Sequence, residues 1–301
     1  MSDGLQKSAG ERMKNILALL TRNPVLGVLA GALCTAVLQS SSATTVMVIG
    51  FVSAGLMSLR QAISIILGAN IGTTITAQLI AFSIGDYAWA FVAAGFVMYF
   101  FLKKKEFLSY LGQTIFAFGV LFVGINIMGG AMKPLAGSPV FIDLMTQVHD
   151  IPVLGVLLGT LMTVVVQSSS ATIAVLQNLA STAGPDGVTS IIGLTGALPI
   201  LFGDNIGTTI TAVLASIGGS LAAKRTAAAH VVFNITGTFI FIWFIPYYAK
   251  FIQFISPDGA EIDVISRQIA NAHSCFNIFN TILFIPIIGI LVKVVTKIVP
   301  G

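Results

Sequence analysis

The sequence Gln-Ser-Ser-Ser-Ala-Thr occurs at residues 39–44 and again, letter for letter, at residues 167–172. A second phrase follows each copy: Gly-Ala-Asn-Ile-Gly-Thr-Thr-Ile-Thr-Ala at 68–77 and Gly-Asp-Asn-Ile-Gly-Thr-Thr-Ile-Thr-Ala at 203–212. Two matching phrases in the same order indicate an internal duplication. Both phrases are polar and lie inside long apolar stretches. Polar groups are costly there, so the phrases indicate a functional site rather than packing.

The composition is that of a membrane protein. Hydrophobic residues make up 56% of the chain and charged residues 9%, and the mean hydropathy is +0.97. A soluble domain carries about 25% charged residues. We therefore expect an all-α integral membrane protein in a lipid bilayer. Nucleic acid is not an expected partner, because the basic residues lie in short loops, as cytoplasmic loops of membrane proteins do.

Each half of the chain contains four apolar stretches. They are 24–58, 61–84, 87–102 and 107–129 in the first half and 152–182, 188–218, 226–248 and 269–298 in the second. The linker between them contains several glycines and prolines, which predicts a loop. The expected domains are a cytoplasmic segment 1–22, a first transmembrane repeat 23–129, an external linker 130–150 and a second repeat 151–301.

The first apolar stretch of each half is too long for a single straight span. A helix over residues 24–58 would be roughly 50 Å long. The serine phrase divides it into two arms of about 12–14 residues, each too short to cross alone. A re-entrant hairpin that turns at the serines fits this pattern. Such a turn is tolerated only where protein or a water-filled cavity surrounds it.

The distribution of basic residues supports this topology. If both serine stretches are re-entrant and the other six stretches cross, with the N-terminus inside, twelve basic residues are cytoplasmic and three are external. The cytoplasmic set is Lys7, Arg12, Lys14, Arg22, Arg60, Lys103, Lys104, Lys105, Lys224, Arg225, Lys293 and Lys297, and the external set is Lys133, Lys250 and Arg267. If both serine stretches span instead, the split is nine to six. The charges favour two inverted-topology repeats, each with a re-entrant hairpin and three membrane-crossing, partly broken helices, as in many secondary transporters.

The serine phrases have the chemistry to bind either an oxyanion or a bare cation. Hydroxyl groups donate and accept hydrogen bonds. At a hairpin tip, helix N-termini favour anions and helix C-termini favour cations. We expect Asn70 and Asn205 to cap a following half-helix, and Gly72 and Gly207 to permit a sharp turn or close backbone approach.

Asp204 replaces Ala69 in the second copy of the Asn-Ile-Gly-Thr-Thr phrase, and it is the carboxylate that we place within a span. An acid there is a functional candidate, and a carboxylate among hydroxyls suits Na⁺, with a proton as the alternative. Because no lysine or arginine falls at these centres, an anion would need a co-bound cation, which favours cation-coupled symport. The candidate Na⁺ ligands are Thr44, Asn70, Thr73, Thr74, Thr172, Asp204, Asn205, Thr208 and Thr209.

A shorter repeat lies in the second half. Ala-His-x-x-Phe-Asn-x-x-x-Thr occurs at 229–238 and at 272–281. His, Asn and Thr at steps of about four residues line one face of a helix. Hydrogen bonding between scaffold helices is the preferred interpretation, with a polar stripe beside the pathway as the alternative.

The doubled serine phrase with the doubled Asn-Ile-Gly-Thr-Thr phrase resembles the type II sodium-dependent phosphate cotransporters, in a compact bacterial form. The resemblance covers the chain from about Pro24 to Val299. It implies Na⁺-driven uptake of inorganic phosphate across the bacterial cytoplasmic membrane, with Na⁺ as coupling ion and no other cofactor. It also implies that the two tips face one another and form the substrate site, with Thr44 and Thr172 behind them. The phosphate-binding residues would be Gln39, Ser40, Ser41, Ser42, Gln167, Ser168, Ser169 and Ser170.

Three alternatives remain open. The first is a carrier of another oxyanion, coupled to Na⁺ or H⁺, or a phosphate exporter. The second is an intramembrane serine hydrolase with His230 or His273 as base. The lack of a Gly-x-Ser-x-Gly elbow and the duplication of the serines argue against it, so an enzyme is not expected. The third is a channel, since re-entrant loops occur in channels too.

The topology is testable by labelling. Both termini and residues 103–105 should be cytoplasmic, and residues 130–150 and 249–267 external, because of the charge distribution. Single cysteines introduced into a background without Cys34 and Cys275 can be reacted with a membrane-impermeant thiol reagent. Labelling of a cysteine at Lys104 from outside would exclude the inverted-repeat topology.

Overall fold

The computed structural model describes residues 23–82, 87–136, 138–184 and 186–301. Within these residues the chain is built from α-helices and short 3₁₀ turns, and no strand is formed. The all-α prediction is therefore confirmed. The expected cytoplasmic segment 1–22 lies outside the described residues.

The helices follow the apolar stretches of the sequence. In the first half they are α1 (Pro24–Leu38), α2 (Ser41–Ser53), α3 (Leu59–Ile80), α4 (Ala88–Phe101), α5 (Glu106–Ala136) and α6 (Pro139–Asp150). In the second half they are α7 (Pro152–Val166), α8 (Ser169–Ala180), α9 (Gly193–Thr208), α10 (Ile210–Ser216), α11 (Leu221–Phe241), α12 (Ile245–Phe254), α13 (Glu261–Phe284) and α14 (Ile288–Ile298).

Several of these helices are long and apolar enough to cross a membrane. Among the described residues five stretches meet that condition, and a sixth does if two helices bent by 114° at Ile151 form one span. The five are Leu59–Ile80, Phe107–Ala131, Gly193–Ser216, Leu221–Phe254 and Glu261–Ile298. The helix α4 is apolar but only 14 residues long. The chain is thus a multi-pass helical membrane protein.

The linker between the halves is not the loop that its glycines and prolines predicted. Helix α5 continues to Ala136, and α6 begins at Pro139. Proline is tolerated at the first helical position because its missing N–H would have no intrahelical partner there. Met145 and Val148 are buried on one face of α6 while Leu144 is exposed. This apolar face at helical spacing outweighs the turn-forming residues around it.

Glycines bring the first arm of each hairpin into backbone contact with a long helix. A Cβ atom at Gly31 would collide with the carbonyl of Ile65, and one at Gly68 with the carbonyl of Val28. The second half repeats the arrangement with Gly159 and Gly203, which meet the carbonyls of Ile200 and Val156. Helices α1 and α7 are therefore fixed against α3 and α9, the helices that carry the Asn-Ile-Gly-Thr-Thr phrases.

The second arm of each hairpin packs against the opposite half. Helix α2 contacts α10, and α8 contacts α3. Gln177 on α8 donates from Nε2 to the Ala77 carbonyl, 3.1 Å away. At the corresponding position of the first half, Ile49 packs with Ala212 in an apolar cluster. These contacts between the second arms and the opposite halves hold the two halves together.

Buried polar groups of the His-Asn-Thr repeat hold the central helices, in agreement with the preferred scaffold interpretation. Thr238 on α11 donates to the Phe202 carbonyl of α9 at 3.3 Å. Thr281 on α13 donates to the Leu67 carbonyl of α3, also at 3.3 Å. A ring nitrogen of His230 lies 3.2 Å from the side-chain nitrogen of Asn70. The two repeated threonines thus make equivalent bonds, to α9 and to α3. The histidines differ, because both ring nitrogens of His273 have no hydrogen-bond partner among the described residues.

The backbone contacts predict a difference between two identical substitutions. Gly68→Ala should destabilise the protein by about 1–3 kcal/mol, because its methyl group overpacks the α1–α3 contact. Gly124→Ala on α5 should be neutral or stabilise by up to about 1 kcal/mol, because nothing lies within 4 Å of the new methyl group. Thermal unfolding of the detergent-solubilised proteins measures both. Equal effects of the two substitutions would contradict the close α1–α3 contact.

Candidate functional site

Both serine phrases form the break between two helices, as predicted. Gln39 ends α1 with φ of 52°, and Gln167 ends α7 with φ of 55°. In the described residues these are the only non-glycine positions with positive φ. Ser40 and Ser168 then cap α2 and α8, each accepting a hydrogen bond from the backbone N–H three residues later. The two tips are thus the same structure built twice.

Each tip presents hydroxyls beside the N-terminus of a helix. Ser41 and Ser169 are both 7% exposed, and Ser42 and Ser170 are half-buried. The first N–H groups of a helix lack intrahelical partners and carry the positive end of the helix dipole. An oxyanion at either tip would therefore meet hydroxyl and backbone donors together.

The glutamine of the first tip also contacts its own half. Gln39 donates from Nε2 to the Ala36 carbonyl at 2.6 Å. Its Oε1 accepts a hydrogen bond from the hydroxyl of Thr76 on α3, at 2.9 Å. The tip is thereby attached to the helix that carries the second polar phrase.

A pair of buried threonines lies behind each tip. Thr35 Oγ1 is 2.9 Å from Thr44 Oγ1, and Thr163 Oγ1 is 3.1 Å from Thr172 Oγ1. Thr44 and Thr172 were expected at the site from the sequence, whereas Thr35 and Thr163 were not. A signal was present, since each missed threonine stands four residues before the repeated glutamine in both copies.

Asp204 joins this network in the second half. It is fully buried on α9, and its Oδ1 lies 2.7 Å from the hydroxyl of Thr163. The other oxygen, Oδ2, has no hydrogen-bond partner among the described residues. A hydroxyl has one hydrogen to donate, so Thr163 serves one acceptor at a time. An ionised carboxylate buried with a single hydrogen bond is costly, which makes a cation or a proton favourable at this position.

The asparagines do not cap half-helices as expected. Asn70 lies inside the continuous helix α3, and its Nδ2 donates to the Ile66 carbonyl at 2.8 Å. Asn205 lies inside α9 and donates to the Leu201 carbonyl at 2.9 Å. The Gly72 and Gly207 positions permit close approach rather than turns. Their missing side chains make room for Thr35 and Thr163.

The threonines of the second phrases bond mainly to their own helices. Thr74, Thr208 and Thr209 donate to the carbonyls of Ile71, Asp204 and Ile206 at 2.8, 2.8 and 2.7 Å. Thr73 is buried at 8% exposure. A hydroxyl that donates to a carbonyl keeps its oxygen lone pairs available. These residues remain candidate cation ligands, and their role stays a prediction.

The fold and the duplicated polar centre define a multi-pass membrane protein built around two copies of one motif. A family model described as Na+/Pi-cotransporter matches the chain twice, over residues 1–130 and 126–255. The chain belongs to the Na⁺/Pi-cotransporter family. The two matches agree with the internal duplication.

Relatives from bacteria and animals share this similarity. The chain is 36% identical over 258 residues to YqeW of Bacillus subtilis, an uncharacterized protein, covering 86% of this chain and 81% of YqeW. It is 28% identical over 260 residues to the "Putative inorganic phosphate export protein YjbB" of Escherichia coli, covering 86% of this chain but only 46% of YjbB. It is 44% identical over 81 residues to human sodium-dependent phosphate transport protein 2B, covering 27% of this chain and 11% of that protein. No solved structure matches the chain.

Proposed function

We propose that this protein carries inorganic phosphate across the cytoplasmic membrane, coupled to Na⁺, with the anion held between the two serine tips. The observation that carries the proposal is the identical construction of the tips, each with a left-handed glutamine, a serine cap and a buried threonine pair. A tetrahedral oxyanion needs donors from several directions, and one tip covers one side. Two tips in repeats of inverted topology would enclose it at the midplane.

Asp204 is the proposed partner for Na⁺. Its carboxylate is fully buried, one oxygen accepts from Thr163, and Thr163 in turn contacts Thr172. Carboxylate and hydroxyl oxygens are the ligands that a hard cation prefers. Bound Na⁺ would offset the charge of phosphate, because the tips themselves contain no basic residue. Each ion would then reduce the cost of burying the other, and their binding would be mutually cooperative.

The direction of transport in the cell is a separate question from the site. Similarity to YjbB over 86% of this chain favours phosphate export as the second candidate. A coupled carrier runs in either direction according to the gradients that drive it, so the same tips serve both. Proteoliposomes with radiolabelled phosphate and an imposed Na⁺ gradient test coupling directly. Uptake that requires inward Na⁺ and saturates with phosphate supports a carrier, whereas Na⁺-independent uptake overturns the coupling.

The two tips should contribute alike to phosphate binding. We expect Ser41→Ala and Ser169→Ala each to weaken apparent phosphate affinity by on the order of 1–3 kcal/mol, because an unmatched polar group remains. Ser109→Ala on α5, away from the tips, serves as the control. The shared site would be wrong if Ser169→Ala abolished transport while alanine at each of residues 39–42 left phosphate and Na⁺ affinity intact.

Na⁺ coupling should depend more on the Asp204–Thr163 pair of the second half than on the corresponding residues of the first half. Thr163→Val removes the hydroxyl that bonds Asp204, and Thr35→Val makes the same change in the half that has Ala69. Asp204→Asn and Thr163→Val should raise the Na⁺ concentration for half-maximal uptake, by about tenfold or more for Asp204→Asn. Thr35→Val should have a much smaller effect. Unchanged Na⁺ activation in Asp204→Asn would remove this residue from the coupling site.

A further inference from the structure

A continuous series of polar side chains follows the contact between α3 and α13. We call it the α3–α13 seam, and it consists of Thr74 and Gln78 on α3 with Arg267, Asn271 and Ser274 on α13. Ser274 donates to Thr74 Oγ1 at 3.1 Å. Gln78 Nε2 lies 3.1 Å from both Ser274 Oγ and Asn271 Oδ1. Except for Thr74, these side chains are partly exposed on the protein surface.

Arg267 ends the seam in a defined position. Its Nη1 donates to Gln78 Oε1 at 2.7 Å and to the Gln78 carbonyl at 3.2 Å. Its guanidinium carbon lies 4.3 Å from the centre of the Phe82 ring. The described residues place no carboxylate in an ion pair with it. A guanidinium is always charged and has five donors in a fork that matches oxyanions, so this held group keeps donors for an anion.

The corresponding helix pair, α10 with α11, lacks the seam. Aligning the repeated phrases puts Val213, Ala228 and Val231 at the positions of Gln78, Asn271 and Ser274. The equivalent contact, between α10 and α11, is therefore apolar. Apolar side chains are sufficient to hold this pair of helices, so attachment alone does not explain the polar residues of the seam.

The seam lies beside the helix that begins at the second serine tip. Gln177 on α8 donates to the carbonyls of Ala77 and Ser266, next to Gln78 and Arg267 in the chain. Ser169 begins α8 eight residues earlier, which corresponds to about 12 Å along the helix axis. Gln39 of the first tip accepts a hydrogen bond from Thr76, two residues before Gln78 on α3. Arg267 is thus connected to both tips through short stretches of α3 and α8.

We propose that Arg267 recruits the anion at one mouth of the transport pathway and that the seam is the hydrated route between this mouth and the tips. The ligand is the phosphate-class oxyanion of the proposed function, on which this inference rests. Positive charge at the mouth of a cleft raises the local concentration of an anion. Neutral amides and hydroxyls then offer donors along the route without holding the anion as strongly as a second cation would.

The test changes the charge at position 267 by chemistry. Arg267→Cys is placed in a background with Cys34→Ser and Cys275→Ser, and the thiol is modified with a cationic or an anionic methanethiosulfonate reagent before reconstitution. Radiolabelled phosphate exchange is measured at equal concentrations on both sides of the vesicle. Exchange uses both mouths in every cycle, so the orientation of the protein in the membrane does not affect the comparison.

We expect Arg267→Cys to raise the phosphate concentration for half-maximal exchange by about tenfold, with maximal exchange nearly unchanged. The cationic reagent should restore the parent value, and the anionic reagent should raise it further. Arg267→Lys should stay within about threefold of the parent. Lys224, which aligns with Arg267 and lies on α11 of the helix pair without a seam, is the matched control. Its substitution and modification should change phosphate dependence less than twofold.

Different failures have different meanings. If the parent exchanges phosphate but both reagents act alike on Arg267→Cys, or the thiol reacts with neither, Arg267 is a structural brace and the inference is overturned. Equal effects at Lys224 would assign the result to general surface charge and overturn it too. If the parent exchanges no phosphate, the proposed function itself fails and this inference fails with it.

Discussion

The rest of the structure depends on how the broken hairpins are covered. Each break exposes helix-terminal N–H and C=O groups that lipid cannot satisfy, so such a break survives only inside protein or against water. The cover comes from glycines, which bring α1 and α7 into backbone contact with α3 and α9. A methyl group at Gly31 or Gly159 would separate the helices. The second arm of each hairpin then packs against the opposite half, α2 against α10 and α8 against α3.

The duplication gives the two tips the same backbone conformation, and the differences between the copies give the two halves different polar groups. The tips are alike in sequence and in backbone conformation, which is what enclosure of one symmetric oxyanion would require. Behind them the copies diverge, with Ala69 in one half and Asp204 in the other. A single buried carboxylate contributes one negative charge, whereas two would repel each other and the anion. The proposed cation site therefore belongs to one half only.

The sequence was sufficient to predict the elements that polarity determines. The breaks at the serines and the helical class followed from polar phrases within apolar stretches. The predicted loop over residues 130–150 was wrong because apolar residues at helical spacing, such as Met145 and Val148, outweighed the turn-forming glycines. The prediction that Asn70 and Asn205 cap half-helices was wrong, because each side chain donates to a carbonyl four residues earlier in its own helix. Thr35 and Thr163 had a signal in the repeat, but the bond from Thr163 to Asp204 and the bonds of the α3–α13 seam join segments far apart in the chain and could not be derived from local pattern.

The two copies also differ in the helix contacts beside the tips, where the α3–α13 seam is polar and the α10–α11 contact is apolar. An aqueous path from one side of the membrane to the tips needs polar walls. A packed contact must close the path from the other side if the two paths are not to be open at the same time. The described structure has polar side chains between α3 and α13 and apolar ones between α10 and α11. In an alternating-access cycle the packed side must open in turn. Breaking a contact between small apolar residues such as Ala212 and Ala223 exposes little surface, so its cost is low. If the polar seam separated, its side chains would replace their hydrogen bonds to one another with hydrogen bonds to water.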